Sequence, residues 1–102
     1  MSRLKIIRSE HDKRLTQILN SEIKQEIEGI QVIAKETQFW RGNQLVAEPD
    51  GLIWNGKELY ILEYKCSKNG IDRAYQQLNN AQRFIENELG LYVPFKHIIK
   101  CD

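Results

Sequence analysis

The sequence predicts an α/β fold, in which a central mixed β-sheet of about four strands is flanked by helices. Two long segments space their apolar residues as amphipathic helices do. Four shorter segments are rich in β-branched and aromatic residues, which is typical of strands. Their order along the chain is helix, three strands, helix, strand (α-β-β-β-α-β). Because a helix connects the third strand to the fourth, we expect these two strands to be parallel.

The first helix is expected over residues 10–28. Ser9, followed by the acidic Asp12, is typical of a helix N-cap, and Gly29 is typical of a helix end. Apolar residues recur between them at helical spacing: Leu15, Ile18, Leu19, Ile23 and Ile27. The second helix is expected over residues 72–89, with Gly90 at its end.

The strands are expected over residues 30–40, 45–54, 57–65 and 91–100. Pro49 lies near the middle of the second strand. Asn55-Gly56 is the clearest hairpin signal in the chain, because both residue types tolerate the positive φ of a two-residue turn. We therefore expect the second and third strands to pair as an antiparallel hairpin.

Length and composition fit one globular domain spanning residues 1–102. Hydrophobic residues make up 41% of the chain and charged residues 28%, and the formal net charge is +1. That charge neither demands nor excludes a nucleic-acid partner. Cys66 and Cys101 form no CxxC pair and are expected to be reduced thiols. No signal peptide or membrane-spanning run is visible, so we expect a cytoplasmic location, in a cell or a virus-infected host.

The hairpin register predicts which side chains share a face of the sheet. A two-residue turn at Asn55-Gly56 places Trp54 opposite Lys57, Asp50 opposite Ile61, and Glu48 opposite Glu63. Because side chains alternate faces along a strand, Glu48, Asp50, Glu63 and Lys65 all lie on one face. Asp50 and Glu63 are then diagonal neighbours, with Cβ atoms roughly 7–8 Å apart.

Two carboxylates at this spacing suit a divalent cation, and hard oxygen ligands favour Mg²⁺ or Mn²⁺. Lys65, on the same face, can stabilise charge that develops on a phosphate. The alternative is a solvated sheet face with no ligand. The Glu-x-Lys tripeptide alone decides little, because Glu22-Ile23-Lys24 repeats it on a helix, where these positions do not face each other. The hairpin context therefore carries the prediction.

Pro49-Asp50, a hairpin, and Glu63-Tyr64-Lys65 together resemble the PD-(D/E)xK nuclease superfamily. The order of elements resembles archaeal Holliday-junction resolvases, and the local sequence resembles phage exonucleases. The resemblance implies a restriction-endonuclease-like core and a Mg²⁺-dependent deoxyribonuclease in DNA repair, recombination or viral DNA processing. It implies that Asp50 and Glu63 are metal ligands and that Lys65 is the catalytic lysine. Glu48 is a further candidate ligand.

Members of this superfamily often add an acidic residue from the first helix. Either Glu10 or Asp12 is expected to fill that role, and Asp12 lies on the inward stripe of the helix. Several members also carry a Gln-x-x-x-Tyr pattern, of which Gln77 matches the glutamine while Ala81 stands in place of the tyrosine. Gln77 is therefore a candidate DNA contact.

Three cations that follow the third strand, Lys68, Arg73 and Arg83, are further candidate contacts to DNA phosphates. His11 and His97 lack the spacing of metal-ligand pairs. A homodimer would double the small surface available for DNA. The rival hypothesis is a catalytically inactive nuclease-fold module that binds nucleic acid or a partner protein.

Overall fold

A computed structural model of the chain describes residues 3–65 and 70–101, with side chains of the first helix described from residue 10 onward. The elements, in order, are α1 (Arg3–Gln17), a π-helical turn (Ile18–Glu22), α2 (Ile23–Glu26), β1 (Val32–Lys35), β2 (Phe39–Arg41), β3 (Gln44–Ala47), β4 (Gly51–Trp54), β5 (Leu59–Lys65), α3 (Ile71–Asn87) and β6 (Phe95–Cys101). A four-stranded sheet has the order β1-β4-β5-β6, and β2 pairs with β3 in a separate sheet.

The α/β class and the mixed four-stranded sheet are confirmed. Strands β1, β4 and β5 pair antiparallel, and β6 lies parallel to β5 after the α3 crossover, as expected. The sheet separates two apolar clusters. One packs the N-terminal helical segment against Ile53, Leu62 and Tyr64, and the other packs α3 against Leu59 and Ile61. Odd-numbered residues of β5 therefore face α3.

The first helix begins earlier than the sequence predicts. It starts at Arg3, so Ser9 lies inside the helix and is not its N-cap. Residues 3–9 contain no Gly or Pro that would interrupt the helix before Ser9.

A π-helical turn interrupts the N-terminal helical segment. The N–H of Ile23 donates to the carbonyl of Ile18, which is five residues earlier, so one extra residue enters the turn. Ile18 and Leu19 of this turn are both buried. Leu19 thereby reaches Gly51, at the start of β4.

Two of the expected strands are each divided. The segment 30–40 becomes β1 and β2, because Glu36 turns the chain with a φ of 53°. The segment 45–54 becomes β3 and β4, because buried Pro49 has no N–H to offer a strand partner. The β2–β3 hairpin consequently leaves the main sheet and packs beside α3, since Phe39 stacks on Phe84 with ring centroids 4.9 Å apart.

The register of the β4–β5 hairpin differs from the expected one by two residues. Trp54 pairs with Leu59, not with Lys57, because residues 55–58 form a four-residue loop. The side chain of Asn55 accepts hydrogen bonds from the N–H groups of Lys57 (3.0 Å) and Glu58 (2.7 Å), which stabilises this longer turn. A shift of two residues leaves every side chain on its expected face.

Helix α3 buries its apolar face against the sheet, at Ala74, Leu78, Ala81, Phe84 and Ile85. It ends at Asn87, so Leu89, which the sequence assigns to that face, is 59% exposed beyond the helix. Within residues 3–65 and 70–101, no helix combines the length and apolar character needed to cross a membrane.

The contact between Leu19 and Gly51 leads to a stability prediction. A Cβ at Gly51 would lie 2.9 Å from Cδ2 of Leu19, whose side chain is buried and cannot move freely. Gly51→Ala should therefore lower the free energy of unfolding by about 1–3 kcal/mol, measured by urea denaturation. In a Leu19→Ala background the penalty should shrink. An equal penalty in both backgrounds would contradict this contact.

Candidate metal and catalytic site

Asp50 and Glu63 meet where β4 begins beside β5. The N–H of Asp50 donates to Oε1 of Glu63 at 3.2 Å, and the N–H of Tyr64 donates to Oδ2 of Asp50 at 2.8 Å. These two hydrogen bonds connect β4 and β5 just beyond their last residue pair, Gly51 and Leu62, with side-chain oxygens as the acceptors. The two-residue register shift makes Asp50 the direct neighbour of Glu63, where the sequence predicted a diagonal one.

Residues on either side of Asp50 explain its position. Pro49 is buried and interrupts the strand, which frees Asp50 from regular pairing. Gly51 lets the helical segment approach through Leu19. Asp50 therefore lies at a break in the strand, between the buried Pro49 and a Gly51 that packs against Leu19.

Burial sets the electrostatics of this carboxyl pair. Glu63 is 3% exposed and is the one buried charged side chain in the part of the chain that the structure describes. Burial, followed by the charge of Asp50, raises the pKa of Glu63 to about 7. Burial also raises the pKa of Asp50, against the hydrogen bond from Tyr64 and the charge of His11. Near neutral pH the pair therefore favours a bound proton or another cation.

Lys65 supplies a positive charge beside Glu63. Its Nζ lies 3.6 Å from Oε2 of Glu63, and its side chain is 29% exposed. Gly70, just before α3, lies against its methylene chain, since a Cβ there would be 3.3 Å from Cδ of Lys65. Lys65 thus reaches the carboxyl pair while remaining open to solvent.

These side chains line a pocket of about 320 Å³. We call it the acidic pocket, and the described residues that line it are Leu45, Val46, Ala47, Glu48, Asp50, Glu63, Lys65 and Gln77. The four residues expected on one face of the hairpin are therefore together, and α3 adds Gln77. The carboxylate of Glu48 also accepts a hydrogen bond from Nε2 of Gln38 at 3.2 Å.

The acidic candidates from the first helix lie elsewhere. Asp12 forms an ion pair with Lys35, which also donates to the hydroxyl of Thr16 at 3.1 Å. Glu10 is exposed, and neither acid is among the described residues that line the acidic pocket. The helix brings His11 to this region instead.

The sequence does not predict a site role for His11, because this residue lacks the spacing of a metal-ligand pair. In the structure its ring lies 4.9 Å from the ring of Tyr64, and its charge lowers the pKa of Asp50. Its place on the apolar stripe, four residues before Leu15, was the signal that it points inward.

The candidate DNA contacts have different outcomes. Gln77 lines the acidic pocket. Arg73 is exposed one helical turn before it and does not line that pocket. Lys68, together with Cys66, lies outside the described residues.

The chemistry of these side chains fits a hard divalent cation. Among residues 3–65 and 70–101, no group of three or more His, Cys, Asp or Glu side chains is arranged to hold a metal. Two carboxyl groups, the half-buried Asp50 and the buried Glu63, nevertheless lie side by side at an open pocket. Mg²⁺ commonly takes one or two protein carboxylates and fills its remaining positions with water and substrate phosphate. Asp50 and Glu63 therefore suit Mg²⁺ or Mn²⁺.

Comparisons with protein-family models, curated proteins and solved structures were made for the whole chain. None of the three found a match. The function must therefore be inferred from the site itself.

Proposed function

We propose that this protein is a metal-dependent nuclease of the PD-(D/E)xK type, which hydrolyses phosphodiester bonds in DNA on a restriction-endonuclease-like core. One observation carries the proposal. A carboxyl pair, the half-buried Asp50 and the buried Glu63, lies beside an ammonium group, Lys65, at the wall of an open pocket. Like charges are costly to hold this close together unless a proton or a cation joins them, which favours a cation-binding role for the pair.

Asp50 and Glu63 would hold one or two Mg²⁺ or Mn²⁺ ions. When bound, such an ion neutralises charge on a phosphate oxygen and lowers the pKa of a water molecule. The backbone N–H of Tyr64 holds Asp50, and that of Asp50 holds Glu63, so neither carboxyl needs to reorganise when the ion binds.

Lys65 would act on the phosphate. Its ammonium group is an N–H donor that can stabilise the negative charge developing on the phosphate oxygens. Glu48 and Gln77 complete the polar wall of the acidic pocket and can orient water or substrate. DNA repair, recombination or viral DNA processing would supply the substrate. A homodimer would bring two sites to two strands.

A cleavage assay with Lys65→Met tests this function. Methionine keeps the methylene contact with Gly70 and removes the charge, so cleavage of linear, flapped and four-way-junction DNA in Mg²⁺ should fall by about 10²–10³-fold. Lys24→Met, at an exposed position on α2, is the matched control and should cleave like wild type.

Two outcomes would count against the nuclease. Cleavage by Lys65→Met at the wild-type rate would remove Lys65 from the mechanism. DNA binding by the wild type, with no cleavage in Mg²⁺ or Mn²⁺, would favour the inactive nuclease-fold module instead.

A further inference from the structure

A second pocket, of about 250 Å³, lies between α3 and the β2–β3 hairpin. We call it the basic pocket, and the described residues that line it are Arg41, Val46, Asn80, Arg83, Phe84 and Asn87. Two of them carry guanidinium groups, two carry amides, and none is acidic. Guanidinium and amide N–H groups are donors that suit the oxygens of a phosphate.

The cations of the basic pocket differ in their partners. Arg41 is paired with Glu88, at 2.7 Å from its Nε. Arg83 is exposed and makes no ion pair or hydrogen bond with any residue that the structure describes. An exposed arginine beside two amides, without an acidic partner, is available to an external anion.

The two pockets share a wall at Val46, and we call them together the groove. Val46 lines both of them, and α3 supplies Gln77 to the first pocket and Asn80 and Arg83 to the second. At a rise of about 1.5 Å per residue, Arg83 lies roughly 9 Å along the helix from Gln77. One strand of a nucleic acid advances about 3.4 Å per nucleotide. The basic pocket is therefore about two to three nucleotides along the strand from the end of the acidic pocket that Gln77 lines.

The opposite wall of the groove is held in place. Phe39 of β2 stacks on Phe84 of α3, and the Arg41–Glu88 ion pair ties the same hairpin to the end of α3. These contacts keep the hairpin at a fixed distance from the helix. A preformed groove binds an extended ligand with less loss of conformational entropy.

An apolar pair borders the groove. Trp40 and Leu45 are paired across the hairpin and are 48% and 41% exposed, and Leu45 also lines the acidic pocket. An exposed indole offers a stacking surface for a base that is not held in a duplex. This feature favours a single strand over a double helix.

We propose that the groove binds one single-stranded segment of a polynucleotide. The scissile phosphate lies in the acidic pocket and a neighbouring, uncleaved phosphate lies in the basic pocket. A base next to the bound phosphates stacks on Trp40. This inference rests on the proposed nuclease function, but strand binding can be measured separately from cleavage.

The test is fluorescence anisotropy with a labelled 12-nucleotide thymidine strand in EDTA, over a series of NaCl concentrations. Arg83→Gln should weaken binding about tenfold at low salt and reduce the salt slope by about 0.7. Arg83→Lys should keep the slope, because it keeps the charge. Lys24→Gln, an exposed cation away from the groove, should bind like wild type. Trp40→Ala should also weaken binding about tenfold.

A 12-base-pair duplex is the comparison ligand, and the Trp40→Ala loss should be absent with it. Equal binding by Arg83→Gln and wild type, or an equal loss in Lys24→Gln, would overturn the basic pocket. An equal Trp40→Ala loss on duplex and single strand would overturn the single-strand assignment. A wild-type protein that binds the strand as described in EDTA and does not cleave it in Mg²⁺ would refute the nuclease while supporting the groove.

Discussion

Asp50→Asn should lower Mg²⁺-dependent DNA cleavage by about 10²–10³-fold and leave the protein at least as stable as wild type. The side-chain oxygen of asparagine can still accept the N–H of Tyr64, so the local fold is retained. The substitution removes the negative charge of the half-buried Asp50 beside the buried Glu63, which relieves the repulsion between the two carboxylates. Loss of activity without loss of stability is characteristic of a functional carboxylate.

Cleavage rates and urea unfolding of the same samples test this prediction. Glu28→Gln, at an exposed position after α2, is the matched control, because it removes one negative charge away from the acidic pocket. It should leave both the rate and the free energy of unfolding unchanged. A marked loss of stability in Asp50→Asn would instead assign a structural role to Asp50. Unchanged cleavage would remove it from the site.

The second large effect is on the pH dependence of stability. The pKa of Glu63 is raised from 4.5 to about 7 in the folded protein. Between these values the folded state holds a proton that the unfolded state has lost, so protonation stabilises the fold. That stability is lost as pH rises through about 7. The raised pKa of Asp50 changes stability in the same direction. We expect the free energy of unfolding to fall by about 1 kcal/mol between pH 6.5 and 8.

The pH range from 6.5 to 8 is chosen because His97 changes the free energy of unfolding with the opposite sign. Burial lowers the pKa of His97 from 6.5, so its contribution to stability is lost as pH falls below that value. Above pH 6.5 the carboxyl pair dominates. Urea unfolding of Glu63→Gln should show a much flatter profile from pH 6.5 to 8, whereas Glu28→Gln should keep the wild-type profile. Parallel profiles for Glu63→Gln and wild type would contradict the raised pKa of Glu63.

Added Mg²⁺ extends the same experiment. A cation competes with the proton for the carboxyl pair, so 10 mM MgCl₂ (about 100-fold above a Kd on the order of 0.1 mM) should stabilise the wild type by about 2–3 kcal/mol. The stabilisation should be larger at pH 8 than at pH 6.5, because Glu63 is then ionised. It should be largely lost in Glu63→Gln. A Mg²⁺ effect that is equal in both proteins would place the cation elsewhere.

The common face of Asp50, Glu63 and Lys65 could be predicted without tertiary information. Side chains alternate along a strand with a period of two, so the two-residue error in the expected register changed which residues are opposite each other and not which face they occupy. Helix α3 and its parallel crossover could also be predicted from the sequence. An amphipathic pattern predicts the helix, and a helix between two strands of one sheet predicts that the strands are parallel.

The error in register had a local chemical cause. The Asn55-Gly56 signal indicates a turn, but the side chain of Asn55 accepts two N–H groups and favours a four-residue loop over a two-residue one. The effect of Pro49 on the strand is equally hard to predict from local sequence, because it depends on whether the neighbouring residues leave the sheet. Here they do, and β2 and β3 form a hairpin of their own.

The α/β class, the parallel crossover through α3 and the common face of Asp50, Glu63 and Lys65 follow from the sequence alone, because they depend on periodicities of two and 3.6 residues and on the handedness of crossovers. The surroundings of these side chains depend on how the separate elements pack. It placed Gln77 in the acidic pocket, turned His11 toward Tyr64 and paired Asp12 with Lys35. It also formed the groove between the β2–β3 hairpin and α3. These contacts join residues far apart in the chain, and no local pattern specifies packing between separate elements.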